Sequence, residues 1–167
     1  MKYFFMPVLV LLLAVCAYAQ GNGIAMLVID KAPEGANVRG APDGAVIKTL
    51  PVAPGTDEEL DTRRVTAMER KGEWFRVRLY DETIGWMHTS VLGTCASATE
   101  DGDPPMYTKP DELSPPLARL KQGTPLRLLE MRGSWVKVET ADSAPKKTGW
   151  MMEHTLLSNP HNNCWEK

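Results

Sequence analysis

Apolar and polar residues alternate in short runs along most of this chain. Phe75, Val77 and Leu79 alternate with Arg76, Arg78 and Tyr80; Val136 and Val138 alternate with Lys137 and Glu139; Leu126 and Leu128 flank Arg127. A period of two is that of a strand with one buried face. Turn formers separate the runs: Ala41-Pro42-Asp43-Gly44, Lys71-Gly72, Gly123-Thr124-Pro125 and Arg132-Gly133. No window carries a 3.6-residue stripe. Short strands with frequent turns predict an all-β chain, with a small barrel or sandwich in each half. The same parity puts Trp74 on the face of Arg76 and Arg78, and Trp135 on the face of Lys137 and Glu139. Both indoles are therefore expected on the outer side of their strands.

The pattern occurs twice. Gly72-Glu73-Trp74-Phe75-Arg76-Val77 matches Gly133-Ser134-Trp135-Val136-Lys137-Val138 at an offset of 61 residues, and Thr83-Ile84-Gly85-Trp86-Met87 matches Lys147-Thr148-Gly149-Trp150-Met151 at an offset of 64. The change of offset is expected as an insertion around Asp142 to Lys146. From its composition the stretch Thr94 to Asp103 reads as a linker. The expected organisation is a first domain over 24–94, a linker over 95–103, a second domain over 104–158 and a tail over 159–167. The first copy carries a longer loop between Leu50 and Val65, with Pro51-Val52-Ala53-Pro54 and the acidic run Asp57-Glu58-Glu59. That loop reads either as a solvated insertion or as the frame of a binding groove.

Residues 1–19 have the form of a secretory leader: Lys2, an apolar run from Phe4 to Val15, and the cleavage pattern Ala17-Tyr18-Ala19. The run is shorter than the roughly 20 apolar residues of a membrane span, and no other segment approaches that length. The expected location is the periplasm or the exterior of a bacterium. The alternative is a lipid anchor on Cys16, although Val15 departs from the small residue that a lipoprotein box wants before its Cys. Removing the leader turns three Cys into two, Cys95 and Cys164, in an oxidising setting. They stand 69 residues apart, one after each copy. A bridge between them is expected to fix the two copies relative to each other.

Hydrophobic residues are 43% and charged residues 24% of the 167-residue chain, with 19 Lys plus Arg against 21 Asp plus Glu. This is a globular composition without the basic excess of a nucleic-acid binder. The charges are evenly divided between the halves, so no electrostatic steering toward one kind of partner is expected.

Three groups of residues resemble the bacterial SH3 (SH3b) domain family. They are Asn37-Val38-Arg39-Gly40-Ala41-Pro42, Gly72 to Val77, and Gly85-Trp86-Met87-His88-Thr89-Ser90-Val91-Leu92. The second copy is similar in Leu120 to Thr124, Gly133 to Val138 and Gly149-Trp150-Met151, but opens with Met106-Tyr107-Thr108-Lys109-Pro110 instead of Asn-Val-Arg. The resemblance implies two tandem small SH3-like β-barrels and a binding or targeting role without catalysis. It also implies a partner in peptidoglycan or an envelope protein. His88 and Val91 stand where eukaryotic SH3 grooves carry Pro and Tyr, so a Pro-rich ligand is not expected. The candidate ligand-binding residues are Trp74, Tyr80, Trp86 and His88 in copy one, with Trp135 and Trp150 in copy two, because aromatics offer stiff contact area to peptides and sugars. For Trp86 and Trp150 the competing reading is core packing; for Trp74 and Trp135 it is packing between the copies.

Two further readings of the Cys and His residues are weak. His154, His161 and Cys164 lack the fourth ligand of a structural zinc site. Cys95 has no Cys-His motif around it to make it a nucleophile. Hydrolase, phosphate-loop and dinucleotide motifs are missing, so neither catalysis nor a cofactor is expected. The runner-up to wall binding is an adaptor of an envelope protein or hydrolase with no wall affinity of its own. Oligomeric state is left open.

Overall fold

The computed structural model describes residues 23–51 and 60–165. The leader at 1–19, Cys16, and the loop residues from Val52 to Glu59 lie outside the described residues. The chain is all-β and antiparallel. In chain order the strands are β1 (Ile24–Val28), β2 (Ala36–Arg39), β3 (Val46–Leu50), β4 (Arg64–Lys71), β5 (Trp74–Arg78), β6 (Ile84–His88), β7 (Leu92–Ala96), β8 (Pro105–Tyr107), β9 (Pro116–Arg119), β10 (Pro125–Arg132), β11 (Trp135–Thr140), β12 (Thr148–Met152) and β13 (Leu156–Leu157). Short 3-10 turns at Thr89–Val91 and Glu153–Thr155 lead into β7 and β13.

Among the described residues the strands form one sheet, in the order β3-β2-β6-β5-β4-β1-β7-β10-β11-β12-β8-β9, with β13 also on β7. The order repeats: β2 to β6 recur as β8 to β12. β1 pairs with β4 and β7, and β7 in turn pairs with β10 and β13. Strand β7 thus closes the first half and opens the second. Cys95 and Ala96, expected in a linker over 95–103, lie inside it, opposite Pro125 and Leu156.

The sequence explains the repeated features. Phe75 and Val77, and likewise Val136 and Val138, are fully buried, while Arg76 is exposed between its buried neighbours. Each such buried side chain contributes about 2 kcal/mol. The pairing of β4 with β5 is interrupted by a bulge at Met68, and that of β10 with β11 by a bulge at Leu129. Gly72 and Gly133 turn both hairpins with φ of 58° and 62°, a region that costs other residues strain. The Gly of each Gly-Trp pair has a different cause. A Cβ on Gly85 would lie 2.4 Å from Val38 Cγ1, and one on Gly149 would lie 2.5 Å from Met106 Cγ. These glycines let β2 cross β6 and β8 cross β12 in contact.

The two halves share one apolar cluster that includes Phe75 and Met87 from the first and Leu126 and Met151 from the second. Polar contacts join them as well. Arg70 donates to the carbonyl of Leu129, Arg127 to that of Ser90, and Ser158 Oγ to that of Ala25. The tail folds back onto β7. Cys164 is bonded to Cys95 with their Cα atoms 6.1 Å apart. The Trp165 indole lies on the bare backbone of Gly93 and donates from Nε1 to the Thr94 carbonyl at 3.1 Å. Arg127 covers its other side at 5.1 Å. No helix of the described residues is long and apolar enough to cross a membrane.

Candidate functional site

The sheet register arranges the outward side chains of each half in rows across three or four strands. In the first half one row runs Arg39 (β2), Trp86 (β6), Arg76 (β5), Glu69 (β4), and the next runs His88, Trp74, Lys71. In the second half the corresponding rows are Tyr107, Trp150, Lys137, Glu130 and Met152, Trp135, Arg132. Alternation along β5, β6, β11 and β12 produces both faces: Phe75, Val77, Gly85 and Met87 point inward, and the residues between them point outward.

The rows bring Trp74, Trp86 and His88 together. His88 meets Trp74 edge to face at 5.3 Å, and the Arg39 guanidinium lies 5.8 Å from the centre of the Trp74 ring. Arg39 is held there by donating to the Gly44 carbonyl at 2.6 Å. His88 Nδ1 accepts from the Ser90 amide, which fixes the ring at the start of the 3-10 turn. Both of these contacts of Trp74 come from its own half. Trp86 is half-buried on the same outward face, and no cation or ring of the described residues lies over it.

The second half fills its equivalent face with its own side chains. Tyr107, at the position of Arg39, packs edge to face on Trp135 at 5.5 Å. Arg132 and Lys137 lie over Trp150 at 4.9 and 6.0 Å. Trp150 is only 6% exposed. The two halves therefore keep the same scaffold and differ in how open the aromatic face is.

Tyr80 stands apart from this cluster. It is 68% exposed and, beyond the end of β5, borders a small cavity of about 110 Å³ with Lys48, Leu50, Pro51 and Asp81. Lys48 bonds to Asp81 and so ties β3 to the β5–β6 turn. That bond, with further hydrogen bonds from Thr83, lowers the Asp81 carboxyl from 3.8 to about 2. An open cleft of about 570 Å³ lies between the bulges of the two halves, lined by Met68, Glu69, Glu73, Glu130 and Met131 among others. Its three carboxylates already have partners: Arg76 for Glu69, Arg70 for Glu73 and Arg132 for Glu130.

Among the described residues no group of three His, Cys, Asp or Glu side chains could hold a metal ion. Cys164 is engaged with Cys95, and His161 faces Asp61 at 3.2 Å. Sequence reasoning passes over Arg39 as a contact residue, Tyr107 as its replacement, and Trp165. The first two were within reach, since Asn-Val-Arg against Pro-Met-Tyr is the visible difference between the copies. Nothing but its place beside Cys164 marks Trp165.

Residues 101–157 match the family model of the bacterial SH3 domain, and residues 55–92 match that of the GW (Gly-Tryp) dipeptide domain. The second half of the chain thus carries one bacterial SH3 domain, while the first is matched through its Gly-Trp region. No curated protein matches the chain. Among the solved structures it resembles are NlpC2 and NlpC1 from Trichomonas vaginalis, at 10% and 9% identity and TM-scores of 0.33 and 0.34. The matches cover 83% and 92% of this chain and 49% and 52% of those chains. The chain spans about half the length of these structures.

Proposed function

We propose that the protein is an exported, non-catalytic binding protein that recognises cell-wall (peptidoglycan) material through outward aromatic faces on two tandem SH3-like barrels. The observation that carries this reading is the outward cluster of Trp74, Trp86 and His88 around the Gly-Trp pair, on a chain matched by both bacterial SH3 and Gly-Trp domain models. Exposed aromatic area with a polar handle suits sugars and short peptides. The repeated bulge, turn glycine and strand order support reading the first half as a second copy of the fold in the matched domain. Tyr80, Trp135 and Trp150 are contributors at the margins: Tyr80 lies beyond the end of the row, Tyr107 packs on Trp135, and Arg132 and Lys137 lie over the buried Trp150. The leader and the Cys95–Cys164 bond fit an exported protein.

Sedimentation with purified peptidoglycan tests the proposal. The protein should be retained with the pellet, and Trp74→Ala should release most of it while leaving the thermal midpoint within a few degrees. Absence of retention at any salt concentration overturns wall binding in favour of an adaptor whose ligand is an envelope protein.

A further inference from the structure

The two faces share a scaffold but not a charge. Across β2, β5 and β6 the first half carries Arg39, Arg76, Arg78 and His88 and no acidic residue. Across β8, β11 and β12 the second half carries Lys137 and Glu139. Tyr107 packs on Trp135 as His88 packs on Trp74, but two cations lie over the buried Trp150, whereas Trp86, half-buried between Arg39 and Arg76, has no cation or ring of the described residues over it. Arg76 has only a long, exposed ion pair, 3.8 Å to Glu69. An arginine held this loosely in water gains little from its partner and is free to exchange it for a ligand carboxylate, which a guanidinium can bind bidentately. Exposed Ile84 continues the same face beside Trp86 with aliphatic surface.

We infer that, within the proposed wall contact, the first half binds the peptide: its ligand is a short acidic peptide, laid across Trp86 with its carboxylates on Arg39 and Arg76. Adjacent strands stand about 4.8 Å apart, so the two arginines, two strands from each other, are anchored roughly 10 Å apart. Three residues of extended peptide span about the same distance. Two carboxylates about three residues apart, such as a side-chain carboxylate and a free C-terminus, would meet both cations while the peptide between them packs on the indole. This rests on the wall-binding proposal and specifies the chemical part of the wall that is read: the carboxylates of its peptide, with the sugar chain left outside the contact.

The test is a Trp-fluorescence titration of the full chain with muropeptides released from purified peptidoglycan by a muramidase, before and after carbodiimide amidation of their carboxylates. Amidation should weaken binding by about tenfold or more, the scale of one lost charge-assisted contact. Arg76→Gln should weaken binding of the untreated muropeptides by a similar factor, and Lys137→Gln should leave it within about twofold. Because Arg39 also holds a turn, Arg39→Lys is used there; it keeps the charge, loses the bidentate geometry and should weaken binding several-fold. Equal binding after amidation, or an equal loss from Lys137→Gln and Arg76→Gln, overturns the inference. If intact peptidoglycan retains the protein but muropeptides do not bind, this inference fails and wall binding stands. If neither binds, both fail.

Discussion

Replacing Cys95 and Cys164 together by alanine removes a link that encloses nearly all of the second half. The bond joins residues 69 apart in sequence. On the chain-entropy account, a closed loop of that size restricts the unfolded ensemble by about 4 kcal/mol at 25 °C. For a chain of this size each kcal/mol is worth roughly 2–4 °C in melting temperature, so the midpoint should fall by roughly 8–16 °C. Both sulfurs are buried, at 1% and 5% exposure, and the shortened side chains add some lost packing. The wild-type protein melted with and without reductant separates these two contributions, because reduction removes the link and keeps the atoms. The loss should be read by circular dichroism at two scan rates to establish that unfolding is reversible. Trp165 gives a second readout: it leaves the Gly93 surface when the tail detaches, so its emission should shift to the red on reduction before the sheet melts. Thiol labelling of the unreduced, denatured protein comes first. Labelling of both cysteines, or a fall of less than about 3 °C on reduction, refutes the reasoning.

Two further predictions concern the scaffold and the surface. Gly85→Ala and Gly149→Ala place a methyl group where Val38 and Met106 already sit, and each should cost about 2 kcal/mol or more by urea unfolding; Gly72→Ala, whose Cβ would meet nothing within 4 Å, should cost about 1 kcal/mol from its positive φ alone. Asp81 is held below its usual range, at about 2, chiefly by Lys48, so its contribution is present above the unfolded value near 4 and is lost as pH falls from about 4 toward 2; acid titration should show a sharper loss of stability in that window for the wild type than for Asp81→Asn, and superimposable profiles would refute it.

Much of the fold is written in local patterns. The alternation around Phe75 and Val136 marks the strands and assigns Trp74 to the outward side, because strand parity needs no distant partner. The doubling of Gly72-Glu73-Trp74 and Gly85-Trp86 exposes the repeat. What escapes is set by pairing between residues far apart in sequence. Cys95 and Ala96 look like the start of a linker by composition, yet β7 is held from both sides by β1 and β10. Trp86 and Trp150 occupy equivalent places in sequence but differ in exposure, because Arg132 from β10 and Lys137 from β11 lie over Trp150 and no such cation of the described residues lies over Trp86. Trp165 stacks on a glycine 72 positions away in the chain. Such contacts are decided by which strand lies alongside, and no window of the sequence contains that information.

The position of the Cys95–Cys164 bond also determines how the molecule would respond to being pulled. Tension applied between β1 and the tail passes from β7 through the sulfur atoms directly into Cys164, and the second half hangs outside that path. Its strands would bear no force until the bond is reduced, when up to roughly 230 Å of slack, at about 3.4 Å per residue, becomes available from the 69-residue separation. For a protein tethered between a wall and another body, this arrangement sets a short maximum reach, and the oxidation state of one pair of sulfurs decides whether that reach lengthens.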